Sequence, residues 1–331
     1  MISLEALYIF CRFSHFVVVM LMFGFSLFMV MLDSGYFSTL MRERLKIGIS
    51  ISTTLALVTS VVWFLVQAGL MGDGWSDVYM PAVWSAVLGT AFGQVWKWQL
   101  LVAIFAFGGL FFLHAKMRQL FLLSCSVILL SSHAFIGHAA MYEGGMGLLL
   151  QVNQIVHLLS AGYWFGGLWP FLLCLHFLHF RKGAEENLYH NNLSTDNRLN
   201  NIEKESIGKT EIPKNAPNLF EESITAMKRF SFYGHFAVFM VIVTGVISSV
   251  ILVPDWPIFS RVISEYQSML WLKIVLVVGM VLLALINRYI LVPKLKQKGS
   301  YQLLIINSWL EIILGASTLL CVAIFATQPP A

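Results

Sequence analysis

Apolar residues run through this chain in long blocks rather than in the interrupted stripes of a water-soluble fold. Eight blocks stand out, at 5–32, 47–70, 92–114, 120–141, 149–179, 230–253, 268–290 and 301–326. A bilayer core takes about 20 mainly apolar helical residues, because no water is present there to satisfy exposed backbone groups. The pattern therefore predicts an all-α, polytopic membrane helix bundle with eight transmembrane helices. The runs 5–32 and 149–179 exceed a perpendicular crossing and predict tilted or projecting helices. Segment 72–91, GDGWSDVYMPAVWSAVLGTA, reads as a loop with an interfacial aromatic piece.

Composition agrees with this pattern. Of 331 residues, 58% are hydrophobic and 11% charged, too few charges to clothe a soluble surface. The net charge of +4 does not indicate a nucleic-acid partner, because the basic residues divide among loops rather than forming one face. Their placement gives orientation instead. Seventeen of the 21 Lys and Arg lie on one side: Arg42, Arg44 and Lys46; Lys116 and Arg118; eight between Arg181 and Arg229; and Arg288, Lys294, Lys296 and Lys298. By the positive-inside rule this side is cytoplasmic and both termini are periplasmic.

One composition shift interrupts the pattern. Residues 183–228 are polar and Asn-rich, which reads as a cytoplasmic linker between a five-helix part, 1–182, and a three-helix part, 229–331, packing in the same bundle. No internal repeat supports an inverted-repeat transporter. The first run carries Glu5 and Arg12 and no small-residue exit site, so it reads as a retained anchor rather than a cleaved signal. Cys11, Cys125, Cys174 and Cys321 each sit in an apolar run without a CxxC and read as buried free thiols. Sequences for ATP-driven pumping, zincin proteolysis or c-type haem attachment are missing.

The polar residues left inside apolar runs are the functional candidates, since each is costly in hydrocarbon. His133 and His157 lie twelve residues either side of position 145, the turn of an outer hairpin, and fall about 10–12 Å below the outer surface, with His15 about 15 Å down. His138 and Met141 are nearer the rim on a shared helix face, with Met146 and Met80 in neighbouring loops. Imidazole with thioether suits copper. On a regular helix His133 and His138 point about 140° apart, so they do not share an ion without distortion. Asn153, one turn before His157, is placed to hold its tautomer. The same spacing admits haem b, whose iron takes two imidazoles from different helices, and spacing alone does not separate the two.

Other buried features are Glu311, mid-span, with Lys273 as the nearest cation, which reads as an ion pair or as a cation or proton relay. Gly162 and Gly166 read as a close helix contact, Trp164 and Trp169 as packing wedges, Pro170 as a bend and Arg288 as a cytoplasmic anchor.

The segments GHAAMYEGG and QIVHLLSAGYWFGGLWP resemble the central hairpin of the copper resistance protein D (CopD/PcoD) family. FSFYGHFAVFMVIVTG, WLKIVLVVGMVLLALINRYILVPKL and the Glu311 helix extend the resemblance over most of the chain from about residue 120, and the long Asn-rich linker departs from it. It implies a bacterial inner-membrane protein of copper homeostasis that exchanges copper with a periplasmic CopC-like protein and moves it into or across the membrane, in a direction the resemblance leaves open. On that reading His138 and Met141 form the entrance, and His133, His157 and His15 the deeper site. The alternative is a b-type cytochrome in which His15, His133 or His157 ligate haem and electrons reach periplasmic copper, a cupric reductase.

Overall fold

The computed structural model describes residues 3–32, 35–137, 142–196, 216–253, 265–294 and 299–325. These form helices α1 (Leu4–Met31), α2 (Tyr36–Met71), α3 (Pro81–Gly89), α4 (Ala91–Phe112), α5 (Ala115–Ser132), α6 (Gly144–Asp196), α7 (Ala216–Leu252), α8 (Glu265–Ile286) and α9 (Ser300–Phe325), with no strand among the described residues. Eight of them, all but α3, are long and apolar enough to cross a membrane.

Local chemistry sets several boundaries. Ser3 caps α1 by accepting the Ala6 N–H at 3.1 Å, and Glu5 in the first turn complements the positive end of the helix dipole. In the expected loop after α2, Asp77–Tyr79 make a 3₁₀ turn and Pro81 starts the short helix α3. Thr90 then caps α4 through the Gly93 N–H at 3.1 Å.

Three boundaries differ from the hydropathy pattern for one reason: a chain can leave the bilayer without leaving the helix. α2 begins at Tyr36, so Arg42, Arg44 and Lys46 lie on a helix and not in a loop. At 36 residues it is about 54 Å long, well beyond a hydrocarbon core of about 30 Å. Likewise α6 runs unbroken through Pro170 to Asp196, and α7 begins at Ala216. Both ends of the polar stretch 183–228 are therefore helical, as helix formers such as Ala184, Glu185 and Leu188 permit; residues 197–215 lie outside the described residues.

α1 is the axis of the bundle, packing on α2, α5, α6 and α9. Its membrane window is 67% buried against 11% for α8, so the last helices form a lipid-facing flank. Phe232, Phe236, Val275, Leu282 and Ile313 are exposed there, as hydrocarbon contact requires. The α1–α6 contact rests on glycine: a Cβ on Gly166 would lie 2.1 Å from the Met20 carbonyl oxygen, and one on Gly24 would lie 2.1 Å from the Gly166 backbone. Gly162 faces Phe23 and Leu130. The expected small-residue contact is thus present, with α1 as its partner.

At the basic end α7 clamps the α1–α2 connection. Glu222 accepts the Phe37 N–H at 3.0 Å at the start of α2, and Arg229 donates to the Met31 carbonyl at 2.8 Å at the end of α1. Each charge complements the helix terminus it meets. All four cysteines are free and buried.

Candidate metal site

Two imidazoles meet on the axis of the bundle. His15, on α1, is fully buried, and its ring centre lies 5.2 Å from that of His133, in the 3₁₀ turn that ends α5. Hydrogen bonds assign the proton on each ring. His15 Nδ1 is 2.8 Å from Thr59 Oγ1, and Thr59 spends its own proton on the Leu55 carbonyl at 2.7 Å. Thr59 therefore accepts, His15 Nδ1 donates, and His15 Nε2 keeps a lone pair with no partner among the described residues. His133 Nδ1 donates to the Leu129 carbonyl at 2.7 Å, so its Nε2 is likewise an acceptor, met by the Gln99 amide N–H at 3.1 Å.

Aromatic rings enclose the pair. Phe16 lies 4.6 Å from His133, Trp63 5.5 Å and Trp96 6.0 Å from His15, and Trp96 is fixed by donating to the Ser60 carbonyl at 2.9 Å. Four buried polar atoms around them have no hydrogen-bond partner among the described residues: His15 Nε2, Gln99 Oε1, Trp63 Nε1 and Arg12 Nε. Of these, His15 Nε2 and Gln99 Oε1 carry lone pairs that a cation would satisfy, whereas Trp63 Nε1 and Arg12 Nε are N–H donors that a cation would not. The Arg12 guanidinium sits 6.0 Å from the Trp63 ring, adding a positive charge beside the imidazoles.

His157 has the same internal logic but faces α7. Its Nδ1 donates to Thr244 Oγ1 at 2.8 Å, while Thr244 donates to the Met240 carbonyl at 2.5 Å. Asn153, expected to hold His157, instead donates to the Thr244 carbonyl and to Ser248, both at 2.9 Å. Side chains one turn apart share a face, and both reach across to α7 rather than along their own helix.

His133 and His157 line one cavity of about 340 Å³ together with Arg12 and Lys273, and none of its lining residues is Asp or Glu. No group of three or more His, Cys, Asp or Glu is placed to hold a metal among the described residues. The structure thus joins His15 to His133 and sets His157, on α6 against α7, in a cavity that His133 lines and His15 does not. His138 and Met141 lie outside the described residues. The regular-helix phase relating His133 to His138 does not apply, because the α-helix ends at Ser132 and Gly137 has a φ of +83°. Met80 and Met146 are exposed.

The sequence pattern missed the supporting cast: Thr59, Gln99, Trp63 and Trp96 on α2 and α4. Gln99 was the legible one, a lone amide inside WKWQLLVAIF.

Glu311 and Lys273 do not pair as expected. Glu311 Oε1 accepts from Asn287 Nδ2 at 2.6 Å and Oε2 from Trp164 Nε1 at 3.2 Å, whereas Lys273 belongs to the histidine cavity. Their heights differ: Lys273 is about 12 Å from the start of α8, and Glu311 about 21 Å from the end of α9 on the same side of the bundle. Trp164 is accordingly a hydrogen-bond donor and not only a wedge.

Spacing bears on the haem reading. Imidazoles on opposite faces of a haem iron need ring centres about 6 Å apart, more than His15 and His133 have.

The comparisons with known proteins agree with one another. Residues 1–148 match the copper resistance protein D-like N-terminal domain, and residues 224–325 match copper resistance protein D. Inner membrane protein YebZ of Escherichia coli (strain K12) is 31% identical over 322 residues, covering 96% of this chain and 97% of that protein. No solved structure matches the chain. Eight membrane-spanning helices and matches over both halves lead to one conclusion: this multi-pass inner-membrane protein belongs to the copper resistance protein D family.

Proposed function

We propose that the protein accepts copper at a periplasm-facing site and moves it into or across the inner membrane, with His15 and His133 as the central copper ligands. The observation that carries this reading is the pair of neighbouring imidazoles, each with Nδ1 committed as a donor, His15 Nε2 without a partner among the described residues and His133 Nε2 held by the Gln99 N–H, which an arriving ion would displace. A ligating histidine needs that arrangement, with its second nitrogen anchored by an outer partner. Gln99, whose N–H meets His133 and whose Oε1 has no partner among the described residues, offers a further acceptor.

Charge selects the ion. The cavity holds Arg12 and Lys273 and no carboxylate, which penalises a divalent cation more than a monovalent one. Imidazole accepts copper in either oxidation state, so the preference for Cu(I) rests on that charge argument. His138 and Met141, outside the described residues, are taken as the entrance at which a CopC-like copper protein would deliver its ion on the periplasmic side, and His157 flanks the route inward.

Purified protein loaded with reduced copper is expected to retain close to one equivalent and to show no Soret band. A Soret band that shifts on dithionite would replace this reading with the cupric reductase, and failure to retain copper would remove the site.

A further inference from the structure

A second polar site lies beyond Trp164. Glu311 is 3% exposed, and each of its carboxylate oxygens accepts one hydrogen bond, from Asn287 and Trp164; Asn287 in turn accepts from Asn307 at 2.9 Å. Every one of these donors is neutral. Asn287 opens a π-helical stretch, Asn287–Leu291, and such widened turns recur at functional sites.

Glu311 lines a cavity of about 320 Å³ among α6, α7, α8 and α9. Its charged and titratable neighbours there are Arg288 from the π-helical stretch after α8 and His235 from α7; α6 contributes only Trp164, Leu168 and Phe171, and α9 adds Ser308. Trp164 also lines the cavity that holds His133 and His157. One indole therefore walls the copper cavity and donates to the carboxylate of the next.

A carboxylate held only by neutral donors leaves its charge uncancelled in hydrocarbon. After accepting one hydrogen bond, each oxygen keeps a lone pair that can take a proton without breaking the existing contacts. A metal is poorly served here, since the Asn287 oxygen is occupied by Asn307 and the other charged residue lining the cavity is Arg288.

We propose that Glu311 is a proton-exchange site coupled through Trp164 to copper at the histidine pair. The coupling rests on the copper reading above; the proton site does not. When a monovalent copper ion settles between His15 and His133, the Glu311 carboxyl releases its proton to the aqueous phase and becomes a carboxylate. One positive charge arrives and one leaves, so the interior charge is unchanged. When copper departs, the carboxylate takes a proton back.

The test uses the full-length protein in membranes and its Glu311→Gln variant, a substitution that keeps shape. Infrared difference spectra of the wild type are expected to show a protonated carboxyl stretch that changes with pH and is absent from the variant. Trp164→Phe, which removes one N–H donor, should shift that band without abolishing it. No Glu311-dependent band overturns the inference, whatever copper does. In proteoliposomes copper uptake should drive protons the opposite way, and Glu311→Gln should bind copper as wild type yet lose that proton movement. Proton movement unchanged in the variant overturns the coupling. A wild type that takes up no copper removes the copper reading and the coupling with it, while the infrared band alone then upholds the proton site.

Discussion

Replacing His133 by alanine is expected to weaken copper retention about 100-fold or more, equivalent to about 2.7 kcal/mol. Loss of an outer partner that merely orients a ligating histidine costs about 10–100-fold, and here a whole ligand of a two-imidazole pair is removed. His15→Ala should fall by a similar factor, because the two rings face each other at 5.2 Å and neither alone encloses an ion. The double variant should be little worse than either single one, the non-additivity of residues acting as a unit. Thr59→Val, which takes away only the acceptor of the His15 Nδ1 proton, should cause a smaller loss. Competition with a chromophoric Cu(I) chelator reads all four, with melting temperature as the folding control; wild-type affinity in either single alanine variant would refute the pair as ligands.

The second large effect concerns assembly. Gly166→Leu should cost more than about 3 kcal/mol, beyond the 1–3 kcal/mol typical of overpacking a core, because the new Cβ meets backbone and not a movable side chain. A Cβ at Gly166 would stand 2.1 Å from the Met20 carbonyl oxygen, so α1 must move as a body, and α1 carries His15. Against a total stability of about 5–15 kcal/mol, such a loss should appear as a collapsed yield of monodisperse protein and a lowered melting temperature in detergent. Gly162→Ala should be milder, since its nearest neighbours are the side-chain atoms of Leu130 and Phe23 at 3.1 Å. A Gly166→Leu protein that melts like the wild type would contradict the glycine contact.

Both effects depend on α1, the helix whose role was least visible in the chain. Number and class of the membrane helices were legible because hydropathy reports the solvent each residue faces. The extensions of α2 and α6 were not, since helix formers carry the backbone past the membrane surface while hydropathy falls. In the site, depth counted along the chain nominated His15, His133 and His157, but depth is one coordinate. Rotation of each helix about its axis, which turns His157 toward Thr244 and His15 toward Thr59, follows from packing among all the helices. The same gap explains Glu311: Lys273 was chosen by approximate height, whereas Asn287 and Trp164 became its partners through the π-turn of one helix and the facing side of another. The early resemblance rested on the second half of the chain, yet the residues that assemble the imidazole pair lie within the region matching the N-terminal domain.

X-ray absorption of the Cu(I)-loaded protein addresses the central claim most directly, because imidazole rings give a distinctive outer-shell scattering. The wild type is expected to show two imidazoles at about 2.0 Å from copper, falling to one in His133→Ala and in His15→Ala. A copper shell without imidazole, or one that neither substitution changes, would contradict the account.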